Sequence, residues 1–228
     1  MPLRRDREAA EKQQELDRKA MERVDRLRKA SLMDEKLKKA SFSNFQTTKH
    51  NARNLKLCKR YAEAFDEMVA KNQGLIFWGD VGTGKSFAAA CIANYLLDRG
   101  VPVIMTSLVK LLEIIQGGEE RESDIISRMN SAKLVIFDDL GAERNTDYAL
   151  EKIYNIIDSR SRRELPMVLT TNLSIAEMQD EGDRRYSRIY DRIFETCYPM
   201  QFTGTSWRKK SASRRFEEME RLLGEGGE

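Results

Sequence analysis

Histidine and cysteine are scarce in this 228-residue chain: one of the first, His50, and three of the second, Cys58, Cys91 and Cys197. The cysteines are far apart, odd in number and form no C-x-x-C pair. That argues against a disulfide framework and a structural zinc site, and it fits a reducing compartment. No apolar run approaches the length of a membrane span, and the N-terminus carries no signal-peptide core. A cytoplasmic protein with no membrane partner is expected. Net charge is small as well, at +3, too little to imply nucleic-acid binding alone. Its distribution says more: residues 1–40 hold 13 Lys/Arg against 9 Asp/Glu, and residues 41–228 hold 27 against 28. The positive excess therefore sits in an N-terminal arm. A chain of this length that is 40% hydrophobic can build one α/β core with an appendage.

What the chain does contain is a phosphate-binding signature. Gly79-Asp80-Val81-Gly82-Thr83-Gly84-Lys85-Ser86 fits G-x-x-x-x-G-K-[ST]. Its glycines let the backbone curl until consecutive N–H groups point at phosphate oxygens. Lys85 is expected to reach the β- and γ-phosphates, and the Ser86 hydroxyl to ligate Mg²⁺. Gly74-Leu75-Ile76-Phe77-Trp78 reads as a buried parallel strand before the loop. Residues 86–97, with Phe87 in the first turn, read as a helix whose N-terminus faces the phosphates. The competing reading, an ordinary Gly-rich turn, has that strand and helix against it. ATP or ADP with Mg²⁺ is the expected ligand set, held by residues 79–87.

Residues 1–40 are almost all helix formers, with Leu16, Ala20, Val24 and Leu27 as a narrow apolar stripe. Such a rod is either a solvated linker or a helix that docks on a partner. Residues 41–54 read as a loop. Residues 54–69 form an amphipathic pattern, with Leu57, Tyr61, Ala64, Phe65 and Met68 on one side. Further strands are predicted over 101–105, 134–137, 167–170 and 200–202. Helices are predicted over 108–115, 125–129, 148–160, 188–196 and 214–223. Strands alternating with helices imply a parallel sheet covered on both faces. The expected division is an arm over 1–45, an ATPase domain over 46–223 and a disordered tail over 224–228.

Leu134-Val135-Ile136-Phe137-Asp138-Asp139 is an apolar strand ending in two acids, with Asp138 lying 53 residues after Lys85. A P-loop enzyme needs a carboxylate at such a strand end, and Asp138 fits the Mg²⁺ role. Asp139 is then placed to orient or deprotonate the attacking water. The fourth strand ends Thr170-Thr171-Asn172. Asn172 is either a turn or N-cap residue or an amide that positions the lytic water beside the γ-phosphate. Arg188 and Arg192 lie four apart on one helical face. They belong either to a surface ion-pair helix or to the arginine class that stabilises a transferring phosphoryl group.

In this order the motifs resemble an AAA+ ATPase, and more narrowly the DnaC/DnaI-type helicase loaders and the related IstB transposition helpers. The resemblance spans roughly residues 20–215. It rests on the P-loop, Phe137-Asp138-Asp139-Leu140-Gly141-Ala142-Glu143, Thr171-Asn172-Leu173-Ser174, Tyr190-Asp191-Arg192 and Phe202-Thr203-Gly204-Thr205-Ser206-Trp207-Arg208. It implies a five-stranded parallel sheet of order 5-1-4-3-2 without a C-terminal helical lid. It also implies Walker B roles for Asp138 and Asp139, sensor 1 at Asn172, an arginine finger at Arg192 and a sensor 2 arginine at Arg208. The 108–129 segment matches an inserted helix lining a single-stranded DNA channel, with Lys110, Arg121 and Arg128 as its basic residues. The implied partners are a hexameric replicative helicase, single-stranded DNA and further copies of the chain, meeting through the ATP site. A transposition helper on duplex DNA and a slow nucleotide-switched adaptor are the alternatives. Most AAA+ ATPases carry glutamate at the position of Asp139, so the shorter acid implies slow turnover. Many relatives carry a helicase-binding domain before the ATPase. Here the pattern begins almost at once, which implies either a truncation or a partner-binding element confined to residues 1–40.

Overall fold

The computed structural model describes residues 2–143, 146–180 and 184–224. Five parallel strands form one sheet: β1 (Gly74–Trp78), β2 (Val103–Ser107), β3 (Leu134–Leu140), β4 (Met167–Thr171) and β5 (Cys197–Gln201). Their order is β2-β3-β4-β1-β5, the expected order read from the other edge. Ten helices are described: α1 (Pro2–Ala30), α2 (Ala52–Glu63), α3 (Phe65–Ala70), α4 (Lys85–Leu97), α5 (Leu108–Gln116), α6 (Glu122–Ser131), α7 (Asp147–Arg162), α8 (Ile175–Met178), α9 (Arg184–Thr196) and α10 (Trp207–Leu223).

Side-chain alternation divides the core in two. Leu75, Phe77, Val103, Met105, Leu134, Ile136 and Val168 point to the face covered by α2 and α4. Ile76, Ile104, Val135, Phe137, Met167 and Leu169 point to the face covered by α5, α6, α7 and α9. This period of two, apolar on both faces, is what a doubly covered parallel sheet requires. Among the described residues no helix is long and apolar enough to cross a membrane.

Several boundaries differ from the expected ones. The first helix ends at Ala30, where the Ser31 hydroxyl donates to the Arg28 carbonyl and Leu32 takes φ 57°. Residues beyond it belong to the body: Met33, Ala40 and Phe45 are buried in the core, so an arm extending to residue 45 is too long. The Ser31 carbonyl accepts from the Met105 N–H at 2.8 Å, covering part of the β2 edge. The 54–69 helix is two helices bent at Ala64, with the Tyr61 and Phe65 rings packed edge-on across the bend. β2 starts two residues later than expected. β5 starts at Cys197, and Phe202 continues its pairing through a 2.8 Å bond to the Trp78 carbonyl. α10 starts at Trp207 rather than 214, capped by the Ser206 hydroxyl. Of the expected tail, Gly224 closes α10 and residues 225–228 lie outside the described residues.

Candidate nucleotide-binding site

The P-loop runs from the C-terminal end of β1 into α4, so its N–H groups and the helix N-terminus face the same space. Gly79 and Gly82 adopt positive φ, and a Cβ on either would strike Phe202 backbone or the Ser206 side chain. The close approach at Gly82 is used, since its carbonyl accepts the Trp207 N–H at 2.9 Å. That bond ties the start of α10 to the phosphate loop. Within the loop the Thr83 hydroxyl donates to the Asp80 carbonyl at 2.8 Å.

Lys85 is buried, and its ammonium donates to the Gly79 carbonyl (2.6 Å), the Asp80 carbonyl (2.8 Å) and Asn172 Oδ1 (2.8 Å). Three acceptors match its three protons. Burial pulls the Lys85 pKa down, opposed by Asp139, Asp80 and Asp138. Asn172 Nδ2 in turn donates to Asp139 Oδ1 at 3.1 Å. Lys85, Asn172 and Asp139 thus form a continuous polar chain across the ends of α4, β4 and β3.

Asp138 and Asp139 occupy a β-bulge. β3 pairs Phe137 with Leu169 and then Leu140 with Thr171, so two residues oppose Thr170 alone. The Thr170 hydroxyl fills the gap: it donates to Asp138 Oδ1 at 2.6 Å and accepts the Asp139 N–H at 2.9 Å. Asp139 stands at φ 63°, a left-handed conformation that aspartate tolerates better than most residues. Burial raises the Asp138 pKa, against hydrogen bonds from Thr170 and Ser86, and the Asp139 charge raises it further. Glu143 is also buried and raised, and it accepts the Gly141 N–H at 3.0 Å.

Ser86 and Asp138 bring a hydroxyl and a desolvated carboxylate to one point, a hard-oxygen pair suited to Mg²⁺. No group of three or more His, Cys, Asp or Glu among the described residues builds a protein-only metal cage. A divalent ion here would complete its shell with phosphates and water.

A cleft of about 290 Å³ collects Lys85, Ser86, Asp138, Asp139, Asn172 and Arg208. Beside it lies a slot of about 280 Å³ lined by Phe45, Gln46, Gly84, Phe87 and Trp207. Phe45 meets Phe87 edge-on at 5.7 Å. A planar base fits such aromatic walls next to a phosphate loop. Sequence reasoning missed Thr170, Glu143 and Phe45. Neither Phe45 nor Thr170 stands in a motif, and only the folded register brings them to the site.

The remaining expected residues lie elsewhere. Arg192 bonds Asp158 of α7 at 3.0 Å and Glu195 at 3.3 Å, outside the cleft. Arg121 pairs with Asp124 at 3.0 Å and Arg128 with Glu120 at 2.8 Å, which leaves Lys110 as the exposed cation of that group without an ion pair among the described residues.

The family model described as IstB-like ATP binding protein matches residues 9–215. The chain belongs to that family. It is 30% identical over 156 residues to the replicative helicase loader DnaC of Buchnera aphidicola subsp. Schizaphis graminum, covering 65% of this chain and 62% of that protein. It is 29% identical over 143 residues to the replicative helicase loader DnaC of Escherichia coli K12, covering 60% and 57%. The chain thus spans about three-fifths of the length of these curated relatives. The crystal structure of DnaI superposes with a TM-score of 0.66 at 23% identity, over 78% of this chain and 98% of that one. The chain therefore shares the DnaI fold, a five-stranded parallel sheet with a P-loop after β1.

Proposed function

We propose that this IstB-like chain is an ATPase that loads a hexameric DnaB-type replicative helicase, holding single-stranded DNA and further copies of itself while ATP is bound. The observation that carries the reading is the Lys85–Asn172–Asp139 chain, which joins phosphate binder, sensor and water-activating acid in one network. The names of the curated relatives support the loader role.

In this reading Lys85 exchanges its carbonyl and Asn172 acceptors for phosphate oxygens, and the base enters the Phe45–Phe87–Trp207 slot. Mg²⁺ held by Ser86 and Asp138 supplies neutralisation of phosphate charge. Asn172, freed from Lys85, orients a water that Asp139 deprotonates as its oxygen attacks the γ-phosphorus and ADP leaves. Arg208 draws the γ-phosphate charge in cis. Arg192 does so in trans, after leaving Asp158 and Glu195. Turnover is slow because Asp139 is short, and DNA or the partner accelerates it.

The test combines ATP affinity with capture from the native host. The native chain should bind ATP and retain a hexameric helicase only with ATP present, and Lys85→Ala should lose both. Unchanged ATP affinity in Lys85→Ala would sink the reading. Membership of the IstB-like family, together with the resemblance to IstB transposition helpers, keeps one second reading, a transposition helper on duplex DNA. Recovery of a transposase instead of a helicase would establish that alternative.

A further inference from the structure

Core-facing positions of a strand recur every second residue, yet Phe137 and Leu140 of β3, three apart, share one core face. The bulge inserts the extra residue and takes Asp139 off the core face where strict alternation would place it. Asp139 is exposed, while Leu140 beyond it is buried again. A left-handed aspartate is not a resting conformation, so the groups around it must hold it there.

Those groups can be followed along the backbone. The Asp139 N–H donates to Thr170 Oγ1 at 2.9 Å, and the Asp139 carbonyl accepts the Ala142 N–H at 3.2 Å. The next peptide, Leu140–Gly141, is gripped at both of its polar atoms. Its carbonyl accepts the Thr171 hydroxyl at 2.7 Å, and its N–H donates to Glu143 Oε2 at 3.0 Å. These two atoms point to opposite sides of a planar trans peptide, so the pair of bonds fixes its tilt. Gly141, at φ 91°, lies so near Leu173 that a Cβ would come within 2.9 Å of Cδ1. Thr171 is fully buried and acts on both strand ends at once. Besides donating to Leu140, its hydroxyl accepts the Leu173 N–H at 3.1 Å, on the far side of Asn172. The bond from Asn172 to Asp139 therefore has its two backbones tied together one residue away. Glu143 is buried as well, so its bond to Gly141 is shielded from competing water.

We propose, on the reading of Asp139 as the water-activating acid, that Glu143 and Thr171 are positioning residues for ATP hydrolysis. They grip the Leu140–Gly141 peptide and so hold Asp139 in the left-handed turn that aims its carboxylate at Asn172. Neither touches the reacting atoms. Their effect falls on the hydrolytic step rather than on ATP binding, because the P-loop and Lys85 belong to separate elements, β1 and α4. Displacing a catalytic group by ~1 Å costs up to ~10²-fold in rate.

The experiment measures turnover and ATP affinity of the full chain, together with amide exchange of the ligand-free chain. Glu143→Ala should lower kcat by ~10- to 100-fold and leave ATP affinity within about twofold of native. Glu143→Gln keeps an acceptor for the Gly141 N–H and should recover kcat to within ~3-fold of native. Thr171→Val should behave like Glu143→Ala, with Thr171→Ser recovering; it carries the test where Glu143→Ala does not fold. Exchange of the Gly141 amide should quicken in Glu143→Ala and not in Glu143→Gln. In an Asp139→Asn background, Glu143→Ala should lower kcat no further, because both changes act through one group. An additive loss would overturn the proposal, since a merely structural role gives that result. An inactive Glu143→Gln would overturn it too, by making the carboxylate itself a reacting group. Low turnover in Asp139→Asn with native turnover in both Glu143→Ala and Thr171→Val overturns the positioning and spares the role of Asp139. Native turnover in Asp139→Asn overturns that role and takes the positioning with it.

Discussion

Asp139 combines two constraints that its place in the sequence conceals. Its carboxylate must face Asn172, while its backbone sits in the left-handed region of a bulge. Glutamate reaches further but has less tolerance for that backbone. Asp139→Glu should therefore hydrolyse ATP faster than native and unfold at lower urea, by ~0.5–1 kcal/mol. A native enzyme that turns over faster than the variant would refute the link between the short acid and slow hydrolysis. Asp138 supplies a pH dependence. Burial raises its pKa, so the ligand-free fold favours the protonated acid. That contribution is present below the ordinary carboxylate pKa and fades as pH rises through the raised folded value. Mg²⁺ needs the ionised form, so the Mg²⁺-dependent part of ATP affinity should fall on acidification earlier than for an ordinary aspartate. Asp138→Asn should raise the melting temperature without ligand and remove the Mg²⁺ dependence; affinity titrations across pH, with and without Mg²⁺, check both. The strand-end acids could be read from the sequence. The bulge could not, because it arises from how β3 pairs with β4.

Helices were readable where their apolar spacing faces a core, and less so at their ends. Arg160 shows why. It ends the expected helix over 148–160, yet it is fully buried and donates to the carbonyls of Met129, Ala132, Lys133 and Pro166. One guanidinium thus closes α6, starts the approach to β3 and fixes the turn from α7 to β4. Arg160→Met should cost ~3 kcal/mol or more in urea unfolding, because it strands the buried carbonyls of Met129, Ala132 and Pro166 and the part-buried one of Lys133. Arg160→Lys should recover only a part, since an ammonium cannot span that fork. α1 and α10 are the converse case. Their helix-forming composition is clear, but Leu16 and Met21 on the first and Phe216, Met219 and Leu222 on the second are exposed. Composition foretold these rods, and among their described side chains only Leu27, near the end of the first, joins the core cluster.

In the whole molecule the ATP cleft and Arg192 lie apart, with Arg192 held in the α7–α9 ion-pair cluster around Asp158. Under the proposed action between copies, completion of a site by a neighbour would require that pairing to open. Arg192→Ala should leave the ATP affinity of the dilute chain unchanged while lowering turnover of the assembled form by ~10³-fold. Turnover measured against protein concentration separates the two; a variant equally impaired at every concentration would contradict action between copies. The P-loop, the acid-ended strand and the alternation of strands with helices are each encoded within about ten neighbouring residues. Motif and composition were therefore enough to read the α/β class and the place of the P-loop between β1 and α4. The pairing of cations and the desolvation of acids depend on residues tens of positions apart. So does the aromatic slot beside the loop. Arg121 and Arg128 look free in the chain and are neutralised in the fold. Lys39 and Lys56 look like part of a loop and a helix, but the folded chain brings them to one cleft between residues 38–43, α2 and α4. Electrostatics depends on distance in space, and chain folding sets that distance.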